Sequence, residues 1–308
     1  MLVSSVNNSK MNSLQEIDDV VSIAETLRGA DFQNRSVNWV REQLTLLVAN
    51  YKGLGIGRSS EQVWYRARKC GDESGFSNLR QMIYPPADKV GFGRANLPGV
   101  PVLYASRNEM TALDEIGAEV GDHIQIIALR PVAGVDLPCH IVGEYQSINN
   151  SGGSLVNSRQ IEQFVNKLQH DNPLRHMKAL YVDSFLSEAF RKRVLRPFDY
   201  KITAVYADKF HKAEGGFMYP SVQTAGGMNI AVPAEDFDAK FEIILTKILK
   251  VDRCFGYGLY TSELPKVSCD FNADGTIVWN SSKQLSAQWN LQVGLQVSQS
   301  FIGWRKPK

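Results

Sequence analysis

Residues 91–117 gather side chains able to hold and cleave a phosphorylated sugar. Arg94 and Asn96 stand in a glycine-rich turn, Gly93-Arg94-Ala95-Asn96, followed by a second turn at Leu97-Pro98-Gly99. Glycine lets backbone come close to a ligand, and the arginine fork matches phosphate or carboxylate. Tyr104 lies near the end of an apolar run, Val100-Pro101-Val102-Leu103-Tyr104-Ala105, and Glu115 lies on the helix after it. Ser106 or Asn108 can cap that helix, which brings one carboxylate back toward the turn. Outside this stretch, Trp64, Arg66 and Arg68 alternate in Gln62-Val63-Trp64-Tyr65-Arg66-Ala67-Arg68 and share one face of a strand. Ser221 follows Pro220, ahead of Ala225-Gly226-Gly227-Met228-Asn229. Plainer readings stand beside these: either arginine on a solvated edge or paired with a structural carboxylate, Tyr104 in the core, Ser221 as a turn cap.

Other catalytic classes lack their motifs. His123, His140, His170, His176 and His211 include no pair at the spacing of HExxH, so structural or surface roles are expected for all five. There is no GxSxG elbow, no Walker A loop and no GxGxxG after a strand, and Gly55-Ile56-Gly57 is too short to count. Cys70, Cys139, Cys254 and Cys269 form no CxxC pair and read as free thiols, with no metal expected. What remains is an Arg, Tyr, Glu and Ser set without a histidine base. That set suits cleavage of the nicotinamide–ribose bond of NAD. Nicotinamide leaves as a neutral molecule and the ribose becomes oxocarbenium-like, as in glycoside cleavage. A carboxylate beside the ribose stabilises the developing charge, arginines hold the pyrophosphate, and an aromatic ring stacks on the nicotinamide.

The 308 residues suffice for one large domain with additions. A composition of 44% hydrophobic and 21% charged residues is that of an ordinary globular protein. The net charge of +2 gives no bulk reason to expect direct nucleic-acid binding or an anionic membrane. The N-terminus lacks the continuous apolar segment of a secretory signal, and no apolar run reaches membrane-spanning length. A soluble cytoplasmic protein is the expectation.

The elements that must position these residues follow from periodicity. Residues 1–12 read as disordered. Ser13 to Tyr51 reads as two helical segments broken near Gly29–Arg35, and Lys52 to Ser60 as a flexible glycine-rich joint. His123 to Leu129 has a strand pattern, and Asn149 to Gly153 reads as a surface loop. Ser158–His170, Leu174–Phe190 and Tyr200–Phe210 read as helices, with Tyr181, Phe185 and Phe190 as packing residues. Arg191-Lys192-Arg193 suits a helix C-terminus better than a nucleic-acid patch. Phe217 to Tyr219 is a short strand, and a β-rich tail follows over Phe241–Val251, Gly258–Leu264, Gly275–Trp279 and Trp289–Val297.

The ordered set of fragments resembles the RES domain, named for Arg, Glu and Ser and found in the toxins of RES–Xre toxin–antitoxin pairs. The fragments are Trp64-Tyr65-Arg66-Ala67-Arg68; Pro85-Pro86 with Gly93-Arg94-Ala95-Asn96; Val102-Leu103-Tyr104-Ala105 with Ala112-Leu113-Asp114-Glu115; and Tyr219-Pro220-Ser221-Val222 with Asn229-Ile230-Ala231-Val232-Pro233. Together they span roughly residues 62–240. The resemblance implies an α/β (α+β) fold like that of ADP-ribosyltransferases, with a mixed β-sheet core and flanking helices, and an enzyme that consumes NAD. It places the family arginine at Arg66, its glutamate at Glu115, its serine at Ser221, its second arginine at Arg94 and its tyrosine at Tyr104. Catalysis is then expected from Glu115, Arg66 and Tyr104, and NAD binding from Arg66, Arg94, Asn96, Tyr104, Ser221 and Asn229. Arg68 stays open as the alternative site arginine, and Ala95 stands where the family often has an aromatic residue. The expected division is a helical N-terminal extension (1–60), a RES domain (61–240) and a β-rich C-terminal extension (241–308). Hydrolysis, phosphorolysis and ADP-ribosyl transfer stay open, as does a non-catalytic nucleotide-binding module. The partners implied are NAD and an Xre-type helix-turn-helix antitoxin, with the extensions free to mask the site or to form a homodimer.

Overall fold

A computed structural model describes residues 16–49, 51–58, 62–279 and 303–307. In chain order the elements are α1 (16–28), α2 (Val37–Leu47), β1 (Leu54–Arg58), β2 (Trp64–Cys70), β3 (Val102–Ser106), α3 (Glu109–Glu115), β4 (His123–Pro131) and β5 (Leu137–Ile141). Then come α4 (Glu144–Ser151), α5 (Arg159–Asp171), α6 (Pro173–Arg191), α7 (Lys201–Glu214), β6 (Gly216–Pro220), β7 (Met228–Pro233), α8 (Ala234–Lys240), β8 (Phe241–Gly256) and β9 (Leu259–Ser268). The class is mixed α/β. Contacts divide the chain into two units, each drawn from three stretches. The first holds the described residues of Met1–Gly55, Gly91–Pro98 and His140–Phe210; the second holds those of Ile56–Val90, Gly99–Cys139 and His211–Lys308.

The first unit is helical. Val20, Ala24 and Leu27 on α1, and Val40, Leu44 and Leu47 on α2, are buried at helical spacing. Ser36 caps α2 by accepting from the Trp39 amide. Helix α6 buries residues on more than one side, among them Ala179, Val182, Phe185, Leu186 and Phe190, and packs with α4 and α5. Its Asp183 accepts from the Gly143 and Gln146 amides and from the Tyr51 hydroxyl, which closes the start of α4. The N-terminal helices are tied into the same unit. Arg28 pairs with Glu188 at 2.8 Å, and the Lys201 ammonium donates to the Phe32 and Arg35 carbonyls.

The second unit is organised by a nine-stranded sheet in the order β1-β5-β6-β7-β3-β2-β4-β8-β9. β3 pairs antiparallel with β2 and β7, and β4 with β2 and β8. Leu129, Ile127 and Ile126 on β4 are fully buried, as are Trp64 on β2 and Leu103 on β3, so the centre of the sheet is core. Alternation along β2 sends Tyr65 and Ala67 to the face that packs against Ala112 and Leu113 of α3.

Two local expectations are corrected. The stretch from Lys52 to Ser60 contains strand β1, not a flexible joint, and its glycines serve close packing. A Cβ at Gly53 would meet the His140 ring at 2.2 Å, and one at Gly57 would meet the Asp136 carboxylate at 2.4 Å. Asn149, Asn150 and Ser151 belong to α4, which ends at Gly152 in the left-handed conformation (φ +76°). Strand β5 and helix α8 have no counterpart in the sequence reading. The expected strand at Trp289–Val297 and the disorder of residues 1–12 lie outside the described residues.

Candidate active site

Glu115 is placed by three elements. Helix α3 starts at Asn108, whose side chain accepts from the Thr111 amide; Ser106 is not the cap but the last residue of β3. On β3, Ser106 pairs with Asn229 of β7 and with Tyr65 of β2, and Asn229 pairs in turn with Tyr219 of β6. Directly paired residues share a face, so Ser106, Asn229 and Tyr65 lie on the side that carries α3, with Tyr104 two residues along. There Ser106 Oγ donates to Asn229 Oδ1 at 2.7 Å, and Asn229 Nδ2 donates to Glu115 Oε1 at 2.7 Å. Ser221 Oγ donates to the same Oε1 at 2.6 Å and accepts from the Gln223 and Thr224 amides at 3.1 Å each. Asn229 and Ser221 are buried, at 3% and 6% exposure, whereas Glu115 is half-buried. Among the described residues, Glu115 Oε2 accepts no hydrogen bond. One carboxylate oxygen is therefore anchored and the other is open among the described residues.

Arg66 lies on the opposite face of β2 from Tyr65. Its Nε donates to the Met82 carbonyl at 2.8 Å and its Nη1 to the Tyr104 carbonyl at 3.0 Å. Burial pushes its guanidinium down to about 10, and the like charge of Arg68 adds to the effect. Arg68 is exposed, donates to the Gln81 carbonyl and stacks over Phe76 at 4.9 Å. Of the two arginines, Arg66 is the one bonded to β3.

Arg94 and Asn96 belong to the other unit. Arg94 Nη1 donates to the Phe190 and Lys192 carbonyls at the C-terminus of α6, with its guanidinium 5.2 Å from the Tyr200 ring. A cation there complements the helix dipole. Asn96 Nδ2 donates to the Gly91 and Leu97 carbonyls and holds the turn shut. Both side chains expected to meet NAD are thus engaged with backbone.

Sequence reasoning gave Ser106 only a capping role and passed over Asp114, Thr224 and Tyr260. Asp114 Oδ2 accepts from Thr224 Oγ1 at 2.6 Å and Oδ1 from the Tyr260 hydroxyl at 2.5 Å. Burial and the neighbouring Asp114 carboxylate raise the Tyr260 phenol above its ordinary value. Alternation of Tyr104 and Ser106 along β3 was the signal for Ser106; nothing local marks Tyr260. Among the described residues no group of His, Cys, Asp and Glu could hold a metal ion, and no helix is long and apolar enough to cross a membrane.

The sequence matches the RES domain over residues 63–247, more than half of its length. The chain belongs to the RES domain family. None of the curated proteins is a match for it. A similar solved chain is found in the crystal structure of the M. tuberculosis MbcT–MbcA toxin–antitoxin complex. It is 12% identical, the likeness covers 69% of this chain and 85% of that one, and the TM-score is 0.28. The RES match takes in Arg66, Arg94, Asn96, Tyr104, Glu115, Ser221 and Asn229, and stops before most of the β8–β9 hairpin.

Proposed function

We propose that this RES-domain chain cleaves the nicotinamide–ribose bond of NAD. The observation that carries the reading is the asymmetric holding of Glu115: Oε1 is fixed by Ser221 and Asn229, and Oε2 is open. A carboxylate fixed through one oxygen can accept from a ribose hydroxyl through the other and stabilise an oxocarbenium-like transition state without reorganising. Ser221 and Asn229 then act by orienting Glu115 rather than by touching NAD. Arg66, on the other face of β2, holds the Met82 and Tyr104 carbonyls and so fixes β3 behind the site, and Tyr104 lies on the Glu115 face as a ring for the nicotinamide. Family membership and the resemblance to RES–Xre toxins support a role as a toxin restrained by a helix-turn-helix antitoxin, with NAD as substrate and no metal in the reaction.

A non-catalytic nucleotide-binding module is the second reading. One experiment separates the two: the purified full-length chain is incubated with NAD, with and without inorganic phosphate, and free nicotinamide is measured. Release is expected, and the sugar product distinguishes hydrolysis from phosphorolysis. Binding of NAD with no nicotinamide in either condition would overturn the enzymatic reading.

A further inference from the structure

Helix α3 has seven residues. A helix that short is not stable alone, so the position of Glu115 at its end depends on what grips it. The β8–β9 hairpin grips it at both ends. At the start, Lys247 Nζ on β8 lies 2.5 Å from Glu109 Oε2, with side-chain exposures of 11% and 16%. At the finish, the Tyr260 hydroxyl on β9 donates to Asp114 Oδ1 at 2.5 Å. Between them, Leu249, Val251 and Tyr260 pack with Ala112 and Leu113 of the helix. Gly258, in the hairpin turn at φ +74°, comes so close that a Cβ there would sit 3.0 Å from Asp114 Oδ2.

The grip reaches the Glu115 array itself. Asp114 Oδ2 accepts from Thr224, and the Thr224 amide donates to Ser221 Oγ, the same oxygen that donates to Glu115. Neighbouring carboxylates therefore meet one turn, residues 221–224, and Tyr260 fixes the first of them. Both Asp114 oxygens are taken while Glu115 keeps one open, which sorts the adjacent acids into a strut and a ligand-facing group. We infer that the β8–β9 hairpin, most of which lies past the RES match, is a splint for α3, and that Tyr260 is a positioning residue acting through Asp114 and Thr224 to set Glu115 against its substrate. The inference rests on the NAD-cleaving reading of Glu115.

The test is Tyr260→Phe in the full-length chain, which removes one hydroxyl and keeps the ring. Because a misplacement of about 1 Å can cost about 10²-fold, kcat for nicotinamide release is expected to fall about tenfold with the KM for NAD nearly unchanged. Hydrogen–deuterium exchange should rise over residues 109–118 and 221–224 and stay unchanged elsewhere. Tyr257→Ser, at a 99% exposed position of the same hairpin, should alter neither reading. A wild-type kcat in Tyr260→Phe, measured well below the melting temperature, overturns the inference. If Tyr260→Phe does not fold, Thr224→Val cuts the other bond to Asp114 and must lower kcat in the same way; an unchanged kcat there overturns it too. If the wild type releases no nicotinamide, the enzymatic reading fails by itself, and exchange decides the splint. Unchanged exchange over 109–118 and 221–224 then overturns it, and a rise confined to them supports it.

Discussion

Glu115 and Arg66 are each held by two hydrogen bonds, and each holding defines a substitution that tests it. In Glu115→Gln the amide oxygen can still accept from Ser221 and Asn229, so the side chain stays in place, loses its charge and presents an NH2 donor where the open acceptor was. Nicotinamide release is expected to fall by about 10²-fold or more, the size of effect seen when a preorganised electrostatic group is lost, with an unchanged melting temperature. A wild-type rate would remove Glu115 from the chemistry. Arg66→Lys removes the fork that bridges the Met82 and Tyr104 carbonyls. A point charge cannot span both, and a buried carbonyl left unpaired costs about 1–3 kcal/mol. Lower stability and weaker NAD binding should therefore appear together, by denaturant titration and calorimetry; stability and affinity both equal to wild type would contradict the bridging role.

Helix α3 is the element on which the candidate site depends, and its start is set by one side chain. Asn108 accepts from the Thr111 amide at 2.8 Å. Asn108→Ala is expected to lower stability by about 1 kcal/mol, the usual size of an N-cap, read as a lower denaturant midpoint at unchanged slope. No shift in the midpoint would mean that the β8–β9 contacts alone hold the helix.

At the scale of the whole molecule, two buried groups of the first unit oppose each other across mildly acid pH. His140 stacks on Phe210 with centroids 3.6 Å apart and has Nε2 3.0 Å from the Tyr206 hydroxyl. Burial lowers it to about 3, from an ordinary value of about 6.5. The unfolded chain therefore binds the extra proton between those values, and this contribution to stability is lost as pH falls through that window. Burial raises Asp183 to about 6 from an ordinary value of about 3.9, so its contribution is present at low pH and lost as pH rises through about 6. Between about pH 4 and 6 the two slopes, each about 1.4 kcal/mol per unit, nearly cancel. Asp183→Asn should uncover stability that rises with pH, and His140→Gln stability that falls with pH, both read from denaturant midpoints across that window. Identical profiles in wild type and both variants would show that neither group titrates as its burial requires.

Much of this protein is legible in its sequence because the signals are local. Apolar spacing marks α1, α2, α5, α6 and α7, strand patterns mark β2 and β4, a short apolar run marks β3, and the ordered Arg, Tyr, Glu and Ser fragments point to the RES domain. Only the tertiary structure decided what those residues do to one another. Ser221 and Asn229 meet Glu115 because β6, β7 and β3 lie side by side, a pairing between residues more than 100 positions apart. Arg94 turned out to close the end of α6, an outcome set by the packing of the helical unit and invisible in a glycine-rich turn. Glycines near residue 55 looked like a hinge because flexibility and close packing call for the same residue, and only the His140 ring and the Asp136 carboxylate beside them show which applies. Tyr260 carries no local mark at all: its partner, Asp114, is 146 residues away, and a hydrogen bond across that distance exists only once the sheet has formed.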